Sequence, residues 1–488
     1  MNATRTRSAF LCFVVLSIFQ PTLYCQGEEP DIVQIGSRRE LFVDRYLVDR
    51  LEGVEQRLHH PIPAETVLGF DRPWEGLHCG YVTVIKDSDT FRMYYRGLPV
   101  SGKDGSDAET TCYAESADGI HWTKPDLGIF EVSGTKKNSV ILKDAAPASH
   151  NFSPLIDSKP GVPPEERYKA LGGTVDSGLF AFVSPDGIHW KKMVENPVIT
   201  QGALDSQNVA FWSETENCYV CYLRTWTQGE FAGFRTIGRT TSTDFLNWSD
   251  LVEMNYGDTP REHLYTNQTN PYFRAPHLYI SIAARFMPGR RVISEEQAVA
   301  IGGARDYSGD ISDNVLMTSR GGNHYDRTFM EGFIRPGIGL GNWTSRTNYP
   351  ALGIVPTGPE EISVYVQRNY GQTTHHVQRC VLRTDGFVSI NAPYTGGEAV
   401  TKPLVFDGNR LEMNYSTSAA GSVRLEIQNE LGVPIEGFAL QDSEETIGDE
   451  IERVVSWKGG SDVGSLAGRP VRLRFVMKDA DLFSFRFR

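Results

Sequence analysis

Three acidic residues stand just ahead of strand-like runs, each among polar and aromatic neighbours. Glu75 lies in Pro73-Trp74-Glu75-Gly76-Leu77-His78, before the run that begins at Tyr81. Asp205 opens Asp205-Ser206-Gln207-Asn208, and Glu262 stands in Arg261-Glu262-His263-Leu264-Tyr265-Thr266-Asn267. Carboxyl groups gathered from distant parts of a chain suit acid–base work. Crowding and partial desolvation push one pKa up while another group stays ionised. One protonated carboxyl and one carboxylate flanking a bond is the arrangement that cleaves a glycosidic linkage. Catalysis is therefore expected of Glu75, Asp205 and Glu262. Binding is expected of Trp74, His78, Asn151, Gln207, Asn267 and Arg346, an aromatic platform with hydrogen-bonding groups around it. The same residues have structural uses: Asp205 and Asn208 as strand-end caps, Arg261–Glu262 as a solvated pair, a lone histidine as a hydrogen-bonder.

A repeat would bring such residues together. Ser116-Ala117-Asp118-Gly119-Ile120-His121-Trp122 recurs as Ser184-Pro185-Asp186-Gly187-Ile188-His189-Trp190, and more loosely from Ser242 through Asp244 to Trp248. Ser319-Arg320-Gly321-Gly322-Asn323-His324-Tyr325 and Thr384-Asp385-Gly386 read as degraded copies, and the spacing of some 58 to 77 residues is that of a repeated supersecondary unit. Asp-Gly marks a tight turn, because glycine accepts a positive φ and aspartate bonds nearby backbone. The tryptophan then packs between neighbouring sheets. Each copy is expected to join the last two strands of a four-stranded unit. On this reading Asp118, Asp186 and Asp244 recur as turn residues and are not catalytic.

Composition agrees with many short strands: 47 Gly and 26 Pro punctuate a chain rich in aromatics, with 25 Phe, 20 Tyr and 8 Trp. The net charge of −13, without basic tracts, argues against nucleic-acid binding. Residues 1–27 read as an export signal, with Arg5 and Arg7 ahead of the apolar stretch from Ala9 to Phe19. A secreted or periplasmic location is expected, and no other segment reads as a membrane span. Of the seven cysteines, Cys12 and Cys25 belong to this leader. The remaining five are too few and too scattered for a disulfide framework. Cys218 and Cys221 fall in a strand-like run, where positions three apart face opposite sides, so no metal or redox pair is expected.

Five strand units fall between residues 66 and 392, and Leu411–Phe487 alternates apolar and polar positions around turn signals. The fold class is all-β: a five-bladed β-propeller over 66–392 and a β-sandwich over 393–488, with 28–65 supplying a strand, near 40–50, that closes the propeller. A propeller whose blades end in Ser-x-Asp-Gly-x-x-Trp, followed by a sandwich, resembles the propeller glycoside hydrolases of the invertase/levanase and arabinanase/xylosidase types. The invertase signatures Trp-Met-Asn-Asp-Pro-Asn, Arg-Asp-Pro and Glu-Cys are absent, so the resemblance is distant and architectural. It implies an exo-acting glycosidase on a plant or algal carbohydrate, with its carboxylates at the axial mouth near the inner-strand starts. No cofactor or metal is expected, and the calcium that propeller axes sometimes hold is not predicted. The alternatives are a non-catalytic carbohydrate-binding propeller and a sialidase-like or lyase propeller. The turn phrase is similar to the sialidase Asp-box but is one residue shorter.

Overall fold

Alternating burial along each repeat unit makes it a twisted antiparallel sheet with two apolar faces, and such a sheet is stable only between like neighbours. The computed structural model describes residues 32–229 and 231–488. The signal segment, Cys12 and Cys25 lie outside them. Five separate four-stranded sheets form the propeller. Blade 1 is Gly80–Asp87, Thr90–Gly97, Thr110–Ser116 and Val140–Leu142; blade 2 is Ser153–Ile156, Tyr168–Thr174, Gly178–Ser184 and Lys191–Lys192. Blade 3 is Val209–Ser213, Cys218–Trp226, Arg235–Ser242 and Val252–Glu253. In blade 4 the inner edge comes in two pieces, His263–Leu264 and Thr269–Tyr272. Both pair with the long strand Ala275–Pro288, which then pairs with Asp310–Ser319.

Blade 5 takes Val355–Pro356, Glu361–Arg368 and His376–Arg383, and its fourth strand is Ile62–Gly69 from the far end of the chain. The strand expected near 40–50 goes elsewhere. Val48–Glu52 pairs with Gly397–Thr401, and Val33–Gly36, Glu40–Leu41 and Glu55–Leu58 join the same C-terminal sheet. The reason is apolar: Phe42 and Leu47 are buried in the C-terminal core with Phe475 and Phe485. Two long strands, Leu411–Asn429 and Val471–Phe487, pair along their lengths, and their register breaks between Thr417 and Ser422. The ten-stranded sheet encloses one core that includes Trp457, Phe406 and Phe487, which makes the C-terminal β-sandwich.

The turn phrase joins third to fourth strands as its chemistry demands. Asp118 Oδ1 accepts from the Ile120 and His121 N–H groups at 2.8 Å each, and Ser116 Oγ accepts from Gly119 N at 2.9 Å. The second copy repeats these bonds. Gly119 and Gly187 have φ near +75°, and a Cβ on either would meet Tyr365 or Tyr94 of the neighbouring blade within 3 Å. In the third copy Phe245 takes the positive φ and is fully buried against Tyr219. Trp190 packs edge-on to Tyr94 of blade 1, and Trp122 to Tyr365 of blade 5. Cys218 and Cys221 pack into different clusters on opposite faces of blade 3, and the five described cysteines are free.

The His121 contact and backbone N–H donors hold the Asp118 carboxyl below its ordinary range. At Asp186 and Asp244 burial pushes up, but the N–H groups of His189 and Asn247 outweigh it. A depressed folded pKa contributes stability above the unfolded carboxylate value of about 3.9 and loses it as pH falls below. Asp118→Ala is expected to cost about 0.5–2 kcal/mol at pH 7. Urea midpoints should show that cost shrinking below about pH 4.

Candidate active site at the axial mouth

Antiparallel pairing puts the end of each second strand beside the start of its inner strand. Gly80 faces Arg96, and the same geometry brings Arg224, at the far end of blade 3's second strand, to the mouth. The third strand of blade 3 starts at that end too, with Arg235 opposite Trp226. A cavity of about 390 Å³ opens here. Its wall includes Tyr81, Arg96, Asp104, His150, Asp205, Arg235, Tyr265, Arg346, Tyr349, Gln367 and Tyr370.

Asp205 is the expected carboxylate that lines this cavity. Its side chain is paired with the buried Arg224, and its carbonyl accepts from Tyr81 Oη across the mouth at 2.9 Å. The turn that carries it is pinned from two sides. Asn151 Nδ2 donates to the Leu204 and Ser206 carbonyls at 2.6 and 2.7 Å, and Ser206 Oγ donates to the Tyr265 carbonyl at 2.8 Å. Arg346 also lines the cavity, in a left-handed conformation with φ of 59°. Its loop is fixed by Asn348, whose Nδ2 donates to the carbonyls of Ser312 and Asn342.

The other expected site residues lie elsewhere. Glu75 is fully buried, with Oε1 accepting from Tyr95 Oη at 2.6 Å and Oε2 from Lys124 Nζ at 2.7 Å. The loop before blade 1 folds back over its second strand, as the bond from Leu98 N to the Glu75 carbonyl records, so Glu75 and the buried Trp74 face the blade core. Glu262 precedes the outlying piece of blade 4's inner edge. It is neutralised there by Arg285 and Arg327 beside a separate crevice. The expected trio of carboxylates therefore does not converge. Asn151 is a buried positioning residue, and Gln207 and Asn267 are buried in backbone and side-chain bonds of the inner strands. His78 is half-buried behind the wall, 3.4 Å from Tyr307 Oη, and burial with Arg96 and Arg346 nearby pulls its pKa down.

Sequence reasoning ranked inner-strand starts and so passed over Arg96 and Arg235, and of the segment around Glu262 it did not single out Tyr265. The available signal was strand pairing, since second-strand ends and third-strand starts share the mouth. It also missed Asp310, at the start of blade 4's third strand. Asp310 Oδ2 accepts from Ser345 Oγ at 2.7 Å, while Oδ1 is buried without a partner. Burial pushes its carboxyl up against the opposing pull of Ser345, Arg346 and Arg235. Asp205, paired with Arg224, lines the cavity together with the exposed Asp104, while Asp310 lies outside that lining with its carboxyl pushed up by burial.

Asp104, Glu109 and His150 place ligand atoms within 4.8 Å of one another. The Arg96 guanidinium stands 3.1 Å from His150 Nδ1 and 3.9 Å from Glu109 Oε1, so a cation there would compete with a charge already in place.

No protein-family model matches the chain, and no curated protein does. Similar solved structures include a glycoside hydrolase family 43 arabinoxylan arabinofuranohydrolase from Bacillus subtilis, at 11% identity over 85% of this chain and 96% of that one, with a TM-score of 0.42. An N-acetylgalactosamine deacetylase from F. plautii is 12% identical over 69% of this chain and 97% of that one, TM-score 0.43. A glycosyl hydrolase from Bacteroides ovatus is 14% identical over 68% and 94%, TM-score 0.38. At such identities and TM-scores these structures decide nothing about residues, activity or substrate.

Glu75→Gln removes the charge facing the nearly buried Lys124 and leaves that cation the exposed Asp71 at 2.9 Å. It should cost about 3 kcal/mol in urea denaturation, while the folded fraction binds mouth ligands as the unsubstituted protein does. Weaker binding at unchanged stability would return Glu75 to the site.

Proposed function

We propose that the protein is a glycoside hydrolase acting at the axial mouth, with Asp205 as the ionised carboxylate and Asp310 as the proton donor. The observation that carries this is the contrast between the two carboxyls. Asp205 is held by Arg224, and Asp310 is raised by burial with an unpartnered oxygen. Environments that separate two carboxyls in this way assign the base or nucleophile and the acid. The aromatic wall of Tyr81, Tyr265, Tyr349 and Tyr370 suits the faces of a sugar ring, and buried polar atoms around it supply hydrogen bonds to hydroxyls. An export signal would place the enzyme outside the cytoplasm, where plant or algal oligosaccharides are met, and an exo mode suits a cavity at the end of a closed axis.

A second reading, a sugar-binding propeller without turnover, has one observation in its favour: Glu75 and Glu262 are committed to Lys124 and to Arg285 and Arg327, away from the cavity.

Purified protein should release reducing ends from one or more members of a polysaccharide and aryl-glycoside panel. Asp205→Asn is expected to lower kcat by 100-fold or more, on the scale of lost acid–base catalysis of about 10²–10⁴, with binding retained. Activity should fall on the alkaline side as Asp310, its carboxyl raised by burial, loses its proton. Asp310→Asn should remove the alkaline limb along with most of the rate. Full activity in both variants overturns the hydrolase assignment; sugar binding without turnover in the unsubstituted protein establishes the second reading.

A further inference from the structure

The protein carries a net charge of −13, yet its mouth is lined by Arg96, Arg235 and Arg346, with Arg224 immediately behind. Arg96 faces Glu109 and Arg224 faces Asp205. Among the described residues, neither Arg235 nor Arg346 has a carboxylate within 4.0 Å. We propose that these two arginines hold an oxyanion carried on the sugar, a carboxylate or a sulfate ester, so that the substrate of this site is an acidic carbohydrate. The proposal rests on the carbohydrate reading above and adds the charge of the sugar.

The two side chains are held as a receptor would hold them. Arg235 lies 4.6 Å from the Trp226 ring centroid, 4.7 Å from Phe286 and 5.3 Å from Tyr265. Arg346 lies 5.8 Å from the Tyr307 ring, on a loop fixed by Asn348. An arginine stacked on aromatic faces keeps its in-plane N–H groups for a planar, two-pronged acceptor. The Arg235 Nε is buried without a partner, as is the Tyr349 hydroxyl on the same wall. Buried polar atoms are ordinarily satisfied, and several left open around one cavity mark where a ligand's oxygens go. Burial lowers the Arg235 pKa, so its charge is unfavourable there until an anion arrives. Asp310 feels both arginines but forms an ion pair of 4.0 Å or less with neither, and its one side-chain partner is Ser345. The cavity, at about 390 Å³, has room for the sugar that bears the anion.

The test is calorimetric titration of the unsubstituted protein, Arg346→Gln and Arg235→Lys. The probes are the methyl glycosides of glucuronic, galacturonic and mannuronic acid, their neutral counterparts, the 6-O-sulfated hexosides and inorganic phosphate. At least one uronide or sulfated hexoside should bind tenfold or more tightly than its neutral counterpart, the scale of a charge-assisted pair. The advantage should shrink with salt and vanish in Arg346→Gln, a substitution at an exposed residue that leaves the melting temperature unchanged. Arg235→Lys keeps the charge and loses the fork, so it should retain part of it. Uronide against sulfated hexoside identifies the anion. Equal binding of neutral and acidic glycosides overturns the proposal and leaves the carbohydrate reading standing. Binding of phosphate alone overturns the sugar-borne anion, and binding of no probe overturns both readings.

Discussion

Everything at the mouth depends on how the axis is plugged. Five inner strands converge there, and their polar edges must be satisfied without water running through. Gln207 of blade 3 donates to Thr83 Oγ1 of blade 1 at 2.8 Å and accepts from Gln268 ahead of blade 4 at 2.7 Å, while Gln268 donates to the Pro350 carbonyl ahead of blade 5 at 2.8 Å. These amides are buried, so each lost bond would cost a full desolvation penalty. The plug divides the axis in two. Tyr81 lines the mouth cavity, whereas Thr83, two residues deeper, lines a separate cavity of about 350 Å³ at the other end. The mouth cavity therefore ends on a closed floor.

The ring itself is held by contacts of a different kind. Ile62–Gly69 hydrogen-bonds along His376–Arg383 and so ties the first part of the chain to the last blade. The strands upstream of it are woven into the sandwich by hydrogen bonds, so the N-terminal segment links propeller and sandwich. Their junction is charged. Arg320 of blade 4 reaches Glu40 and Asp44 of the N-terminal segment, and Arg274 and Arg39 share the buried Asp385. His277 and Arg320 hold the Glu40 carboxyl down near 2 although burial pushes it up, so its attachment to blade 4 persists well into acid.

The sequence carried the repeat because the turn phrase is local. Ser116 bonds Asp118 and Trp122 bonds the Gly119 carbonyl, all within seven residues, and so they had to be neighbours in the chain. The closing strand was misplaced because both candidates are extended and half apolar, and only the sandwich core around Phe42 and Leu47 separates them. Asp205 and Arg346 were legible at the mouth because one opens an inner strand and the other sits on the loop before blade 5. Glu75 and Glu262 occupy similar positions along the chain. What distinguishes them is a backbone excursion fixed by distant partners, Lys124 in one case and Arg285 with Arg327 in the other. Asp310 carried no local signal at all, since its raised pKa comes from tertiary burial.

Position relative to the plug and sign of charge together narrow what the mouth can admit. The wall sets tyrosine rings beside arginines, so apolar faces and positive charge meet in one cavity. The arginines also act on the carboxyls they surround. Arg224 pairs directly with Asp205, whereas Arg235 and Arg346 act on Asp310 from beyond pairing distance and only partly offset its burial. A substrate anion seated between those two arginines would withdraw part of that offset and favour the protonated carboxyl further. Binding of an acidic sugar and readiness of the proton donor are then linked through the same pair of guanidinium groups. A neutral sugar filling the same volume would leave the donor closer to ionisation.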